Sequence, residues 1–443
     1  NIKDKNQIKK IREVEIEGRY VSSRRIDQKV YFVANKSIDR YHIMEDQITA
    51  PAYRDTNSGQ GFSRLDFKDI HYLPDCVRPN YIMVCGFDLK ETKQEAEVYS
   101  YLGAGENIYA SPENLYVAAT QNRQPMIRPF ASALPEDETI VYKFVLHEEG
   151  LEYQAKGEVP GRVLNQFSMD EYRGNLRLAT TRGHVWSNNG QTSQNNLYVL
   201  DVNMDMVGKI ENIAPGERIY SARFMGDRAY MVTFRKVDPL FVIDLKDPQN
   251  PSILGKLKIP GYSDYLHPYD QNHIIGIGKD TVEAKEGNFA YYQGMKLALF
   301  DVSDVKSPRQ IHKVIIGDRG TDSELLRNHK ALLFDKDKNL LAFPITVMES
   351  KTDSEVEAGV RYGEFAFQGA YVYHLSPEKG FDLRGKISHL TSDDYLKAGD
   401  IWRDSGKNIN RIIYIGNNLY TLSPQMIKVH DLDTLEEKNQ LEL

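Results

Sequence analysis

Two polar strings hold most of the residues whose types could move a proton or grip a charged ligand. "YLHPYD" (Tyr265–Asp270) puts His267, Tyr269 and Asp270 within four positions. "GDRGTDSELLRNHK" (Gly317–Lys330) adds Asp318, Arg319 and His329. A histidine beside carboxylates and an arginine suits general acid–base work or recognition of a polar ligand. The same types also serve structure, as Arg–carboxylate and His pairs that satisfy buried donors. Arg218 and Arg223 would join the network under either reading. A weaker candidate is "FDKDKNLL" (Phe334–Leu341), where Asp335, Asp337 and Asn339 alternate as Ca²⁺ ligands would. That string lacks the glycine and later acidic ligand that complete such loops, so an Asp-rich turn is the plainer reading. No catalytic residue and no cofactor is assigned.

More specific chemistry is not written in the chain. It has no Gly-x-Ser-x-Gly elbow, no Gly-Lys-Ser/Thr phosphate loop and no His-Glu-x-x-His pair. "GAGENI" (Gly103–Ile108) and "GIGKDT" (Gly276–Thr281) imitate part of a dinucleotide loop, but neither opens a βαβ unit, and both are expected to be turns. "HVWSNNGQTSQNN" (His184–Asn196), with Trp186, is expected to be an exposed loop whose aromatic and amide groups suit sugar or peptide recognition.

What positions these strings is a repeat. "VCGFDL" begins at Val84, "VYKFVL" at Val141, "LYVLDV" at Leu197, "LFVIDL" at Leu240, "LALFDV" at Leu297, "AYVYHL" at Ala370 and "IKVHDL" at Ile427. The spacings are 57, 56, 43, 57, 73 and 57 residues. A four-stranded propeller blade takes about 40–50 residues, so most units carry extra chain. Each marked run follows two apolar strands joined by a short Gly/Asn/Asp turn and precedes one more. The runs are nearly continuous in apolar residues, as a sheet covered on both faces requires. The Asp at the fifth position recurs in five of the seven runs, at Asp88, Asp201, Asp244, Asp301 and Asp431. Recurrence marks it as a turn-former that accepts backbone N–H groups rather than as a catalytic acid.

The fold expected is therefore all-β, a seven-bladed β-propeller of four-stranded antiparallel blades. An N-terminal arm (1–13, truncated) precedes a single propeller domain (14–443). Insertions are expected in blade 1 (Tyr41–Asn80), blade 2 (Gln121–Glu138) and blade 6 (Val347–Phe365). A short helical excursion between blades 6 and 7 should start at Thr391–Ser392, with Tyr395, Leu396 and Ile401 as its apolar face. Ring closure calls on Lys438–Leu443 or on Val14–Ile16 to cover an exposed edge.

Composition sets the class. The chain has 443 residues, 41% hydrophobic and 27% charged, enough apolar content for a large core. A net charge of −7 gives no basic excess for phosphate backbones, so nucleic acid is not an expected partner. No run approaches the ~18 apolar residues that span a bilayer. The chain begins at Asn1 rather than Met, so an expected leader is already removed and contact with a membrane would pass through a missing N-terminal segment. Cys76 and Cys85 flank a turn-like Arg78-Pro79-Asn80 and are either a disulfide or two buried thiols.

Long strings give a resemblance. "VTFRKVDPLFVIDLKDPQNPSILGKLKIPGYSDYLHPYDQNHIIGIGKD" (Val232–Asp280), Gln293–Ile345 and "FKDIHYLPDCVRPNYIMV" (Phe67–Val84) resemble the secreted bacterial β-propeller family distantly related to WD-type repeats. The resemblance implies an exported protein held in the cell envelope, secreted or anchored outside the cytoplasmic membrane. It brings no known reaction. The function expected is an extracytoplasmic binding or scaffold module for an extracellular protein or glycan. The alternative is a hydrolase or lyase on a polysaccharide or the cell wall.

Overall fold

The computed structural model describes residues 10–38, 49–75, 80–103, 105–123, 136–147, 150–183, 192–235, 238–283, 290–350, 361–399, 402 and 405–443. The chain divides into two compact units, Asn1–Pro215 with Pro248–Asn250, and Gly216–Asp247 with Pro251–Leu443.

The first unit carries three large sheets. Sheet 1 runs Arg19–Ile26, Lys29–Ser37, Asn80–Asp88 and Glu97–Leu102, with Ile70–Tyr72 added in parallel at its edge. Sheet 2 runs Asn107–Ala110, Asn114–Arg123, Glu136–His147 and Gly150–Pro160. In sheet 3, Arg162–Val163 and Met169–Tyr172 share Asn175–Arg182, followed by Gln194–Leu200 and Met206–Ile213. A small sheet of Val14–Ile16, Ala52–Asp55 and Ser63–Arg64 stands apart. Val14–Ile16 therefore pairs with a strand of the first insertion instead of covering an edge. Arg12 anchors that small sheet through two bonds to the buried Asp55, at 2.6 and 3.0 Å.

The second unit carries four sheets. Sheet 4 is Arg218–Met225, Arg228–Phe234, Asp238–Asp244 and Ser252–Ile259. Sheet 5 is Tyr262–Pro268, His273–Glu283, Ala290–Asp301 and Arg309–Ile316. Sheet 6 is Leu333–Asp335, Leu340–Glu349, Glu364–Ser376 and Gly380–Ile387. Sheet 7 is Arg411–Ile415, Asn418–Ser423, Met426–Asp431 and Glu437–Glu442. The C-terminal strand is thus the ordinary fourth strand of its own sheet.

Every repeated string is the third strand of its sheet. In sheets 1–6 its apolar run is largely buried on both faces, with Leu297, Ala298, Leu299 and Phe300 all at 0% exposure, whereas in sheet 7 only His430 of the strand is buried. Burying a Leu or Phe side chain contributes about 1.5–3 kcal/mol, so these strands are where the units draw their cohesion. The cores knit neighbouring sheets together: Tyr230, Val232 and Val242 of sheet 4 pack with Leu266, Ile274 and Phe300 of sheet 5. Where the third strand ends, its Asp closes the turn. Asp88 accepts from the Lys90 and Glu91 N–H, Asp201 from Asn203 and Asp205, and Asp244 from Lys246. Asp301 accepts from Ser303, and Asp431 from Asp433 and Thr434.

Antiparallel order gives each sheet two unlike ends. First-to-second and third-to-fourth connections lie at one end and are short turns. Second-to-third and sheet-to-sheet connections lie at the other, where every expected insertion falls. The second insertion is shorter than expected, because Gln121–Arg123 and Glu136–Glu138 are paired strand. Residues 124–135 and 351–360 lie outside the described residues.

The excursion after sheet 6 is a helix, Ser392–Ala398, with Thr391 and Asp394 capping its N-terminus reciprocally. Tyr395 stacks on Phe365 at 5.6 Å, but Leu396 points to solvent at 81% exposure. Ile401 lies outside the described residues. Gly276–Thr281 is not a turn but the middle of strand His273–Glu283. Its glycines answer crowding: a Cβ on Gly278 would sit 1.9 Å from the Tyr262 carbonyl oxygen. Of the Asn/Gln-rich string, 184–191 lie outside the described residues, and Asn195 and Asn196 are buried strand rather than loop. Cys85 is free and fully buried, its thiol pushed up to about 12 by burial, while Cys76 lies outside the described residues.

Candidate functional site

The first strand of sheet 5, Tyr262–Pro268, separates the anticipated residues. Seven residues at about 3.3 Å each make it roughly 20 Å long, and the candidates lie at both of its ends. At the short-turn end, Tyr269 and Asp270 lie just past the strand. Asp270 accepts from the Asn272 N–H and sits 2.9 Å from His273 Nδ1 and 3.6 Å from Lys336 Nζ. Burial opposes ionisation of Asp270, but those partners outweigh it and hold the carboxyl below its usual range. Just inside the short-turn end, His267 Nδ1 meets the Tyr265 hydroxyl at 3.0 Å, and Arg223 donates to that hydroxyl and to the Leu266 carbonyl. His329 lies over Tyr265, with ring centres 6.2 Å apart, and Phe334 closes on His267 at 4.9 Å. Burial, with Arg223 and His329 alongside, lowers His267 to about 4, so it is a neutral imidazole at pH 7.

At the long-connection end stand Asp318 and Arg319. Asp318 accepts from the Ser350 N–H at 2.7 Å, and Arg319 lies over the rings of Tyr291 and Tyr362. Phe334 also packs on Tyr269 at 5.7 Å, so of the six candidates His267, His329, Tyr269 and Asp270 gather toward the short-turn end, while Asp318 and Arg319 stand at the other. Arg223 joins the group of four, and Arg218 bonds Tyr220 instead. In the Asp-rich hairpin, Asp335 is occupied by the Lys338 N–H and the Tyr414 hydroxyl, and Asn339 takes the left-handed turn position at φ 49°. Among the described residues, no group of three or more His, Cys, Asp or Glu side chains converges as metal ligands would.

A richer constellation lies at the long-connection end, and most of it went unmarked in the sequence. Asp322 opens the first strand of sheet 6 by pairing with Thr346, and the chain then leaves the sheet for two short 3₁₀ turns before returning at Leu333–Asp335. Ser323 and Asn328 cap those turns by accepting from the N–H groups of Leu325 and Lys330. The detour carries Arg327 back over Asp322, which it holds through two bonds at 2.7 and 3.2 Å. Lys279 reaches the same carboxylate at 3.7 Å and donates to the Thr321 carbonyl.

Asp264, on the first strand of sheet 5, completes the group. Burial raises its carboxyl to about 7, Asp322 adds to the rise, and Lys279, Arg218 and Arg327 oppose it. Lys279 is shifted downward by burial against the pull of Asp322 and Asp264. Two neighbouring carboxyls thus differ in character, one ion-paired and one half-protonated near neutrality. Beside them Tyr262 packs against Tyr220, Phe234 and Tyr292 at 4.6, 4.9 and 5.2 Å.

Next to this group, sheets 6 and 7 enclose a cleft of about 470 Å³ lined by Asp322, Glu324, Arg327, Asn408, Arg411 and Trp402, among others. That is the size range of small-molecule sites. Glu324 accepts from Asn328 and faces Arg411 at 3.8 Å. Trp402 is stacked on Phe365 at 4.6 Å, and its indole N–H is buried with no hydrogen-bond partner among the described residues. Asp322, Glu324 and Arg327 belong to a string that the sequence did single out. Asp264 was visible only as a lone charge inside an apolar strand.

The profile of a family described as "Beta propeller domain" matches residues 1–435. A curated uncharacterised protein of Archaeoglobus fulgidus is 31% identical over 427 residues, covering 94% of this chain and 57% of its own length. Another, from Methanocaldococcus jannaschii, is 38% identical over 277 residues, covering 62% of this chain and 36% of its own length. This chain therefore spans about half or less of those relatives, and both are archaeal where the resemblance implied bacteria. No helix among the described residues is long and apolar enough to cross a membrane.

Proposed function

Because the chain belongs to the beta propeller domain family, we propose that residues 14–443 form one seven-bladed propeller acting as an extracytoplasmic binding or scaffold module. It has no reaction of its own in this reading and recognises a glycan or an extracellular protein. The observation that carries the reading is the mixed-charge cleft of sheets 6 and 7, whose Asp322–Arg327 pair is held before any ligand arrives. Pre-set polar groups in a concave site favour recognition, because little ordering is left for the ligand to impose. Isothermal titration against neutral and acidic glycans, peptidoglycan fragments and short peptides tests it. Saturable binding that weakens with Arg327→Ala supports the cleft, and binding that ignores that substitution in a folded protein removes it.

A second reading, a polysaccharide hydrolase or lyase, draws on Asp264, a carboxyl raised to about 7 by burial, beside the Arg327-bonded Asp322. Release of reducing ends from a polysaccharide, abolished by Asp264→Asn, would favour it over pure binding.

A further inference from the structure

The cleft of sheets 6 and 7 is short of acceptors. Arg411 carries five N–H donors, of which one bonds its neighbour's Asn410 carbonyl at 2.6 Å, and its ion pair with Glu324 is loose at 3.8 Å. The buried Trp402 indole N–H has no hydrogen-bond partner among the described residues. An unmatched buried donor costs about 1–3 kcal/mol, which an acceptor-rich ligand would recover. The acidic groups, by contrast, are engaged: Asp322 by Arg327 and Lys279, and Glu324 by Asn328.

In the cleft's own lining Arg327 and Arg411 match Asp322 and Glu324 in number, but Arg327 already holds Asp322, so the cation left with spare donors is Arg411. Elsewhere the lining sets hydroxyl and amide groups of Ser405, Asn408 and Asn410 beside apolar Pro344, Ile409 and the Trp402 ring, while the Gln368 amide is taken up by the Ile409 backbone. That mixture suits a saccharide ring, which presents both hydroxyl groups and C–H faces.

Resting on the reading of this cleft as a binding site, we propose that it takes a carboxylate-bearing saccharide, a uronate. The Arg411 guanidinium and the Trp402 indole N–H donate to the ligand's oxygens. Arg327 stays on Asp322 and presents its outer edge to the same carboxylate. The amides and hydroxyls of the opposite wall address the ring.

The test compares trigalacturonate, galacturonate, neutral galactotriose and a diacidic dipeptide by isothermal titration. Trp186→Phe protein is titrated in parallel so that Trp402 fluorescence reports occupancy. Trigalacturonate should bind at least tenfold more tightly than galactotriose and shift the Trp402 emission. Arg411→Ala should weaken it tenfold or more, and Arg411→Lys should recover part of that loss. Saturation by galacturonate alone assigns the contacts to a single ring, and binding by the trimer only assigns them to a polymer. Equal affinity for the neutral and acidic trimers, or for uronate and dipeptide, overturns the inference while leaving a binding cleft. So does full uronate affinity in a folded Arg411→Ala protein. If no member of the panel binds, the binding reading falls with it.

Discussion

Arg327 holds Asp322, five residues before it, through two guanidinium bonds within the ten-residue detour that interrupts the first strand of sheet 6. The pair is largely exposed, with side chains at 63% and 43%. Its geometry therefore matters more than its strength, because exposed pairs contribute only about 0–1 kcal/mol.

Arg327→Met should lower the urea midpoint only slightly, by an amount equivalent to less than about 1 kcal/mol. It should move the Asp264 carboxyl upward from about 7, since Arg327 opposes that rise and Asp322 promotes it. Carboxyl carbon NMR across pH 5–9 reads both effects. An unmoved Asp264 would separate the two residues electrostatically.

Acidification should reveal opposed titrations. His267 and His389 are lowered to about 4, chiefly by burial, and His389 is held between Ser423 and Thr421 at 3.0 and 2.9 Å. An unfolded histidine titrates near 6.5, so between about pH 6.5 and 4 the unfolded chain binds more protons and stability falls with pH. Asp264 works the other way, because its raised carboxyl is protonated in the folded state first and gains stability as pH falls from about 7. In an Asp264→Asn background, stability should therefore drop more steeply from pH 7 to 5, and adding His389→Gln should flatten the slope. Chemical denaturation at three pH values decides.

Gly278→Ala should cost about 3 kcal/mol, the upper range for forcing an atom into a packed site. The new Cβ would meet the Tyr262 carbonyl oxygen at 1.9 Å and the Ser263 Cα at 2.7 Å, neither of them a flexible side-chain end. Gly59→Ala, with nothing within 4 Å, is the matched control and should be neutral. Thermal melts of the pair check the contrast.

Asp301→Ala should cost about 1 kcal/mol by removing acceptors for the Ser303 N–H and hydroxyl and for Arg309. Those donors hold its carboxyl down to about 2. Its contribution is present above the unfolded value near 4 and lost as pH falls toward 2. Asp301→Asn should keep part of it, and urea midpoints at pH 7 and 3 distinguish the two variants.

The repeat was legible because its physics is local. A third strand buried on both faces must be a continuous apolar run, so "LALFDV" announces itself, and Asp301 at its end has one local task. Thr391–Ser392 announced a helix start for the same reason. The candidate site was legible only in pieces. His267 and Arg319 look like neighbours in a list of polar strings, yet one lies beside the short-turn end of a strand and the other at the long-connection end. Asp264 and Lys279 meet Asp322 only because three separate strands place them together, and nothing in the spacing of those residues encodes that. Gly276 and Gly278 misled for a different reason: glycine marks a turn or a crowded strand equally well, and only the neighbouring backbone says which.

Timing on the ribosome follows from the same local build. In sheet 7 only two residues separate the second strand, ending at Ser423, from the third, starting at Met426. The partner emerges almost at once. Sheet 1 is different, with 42 residues between Ser37 and Asn80. At about 5–20 residues per second of synthesis, strand Lys29–Ser37 waits roughly 2–8 s for the chain that covers it. During that interval "KVYFVA" is paired only with Arg19–Ile26 and its other edge stands open, and Val14–Ile16 cannot cover that edge, because its own partner is Ala52–Asp55. The first sheet is thus the step at which a nascent chain most needs a chaperone, and every later sheet can close as it is made.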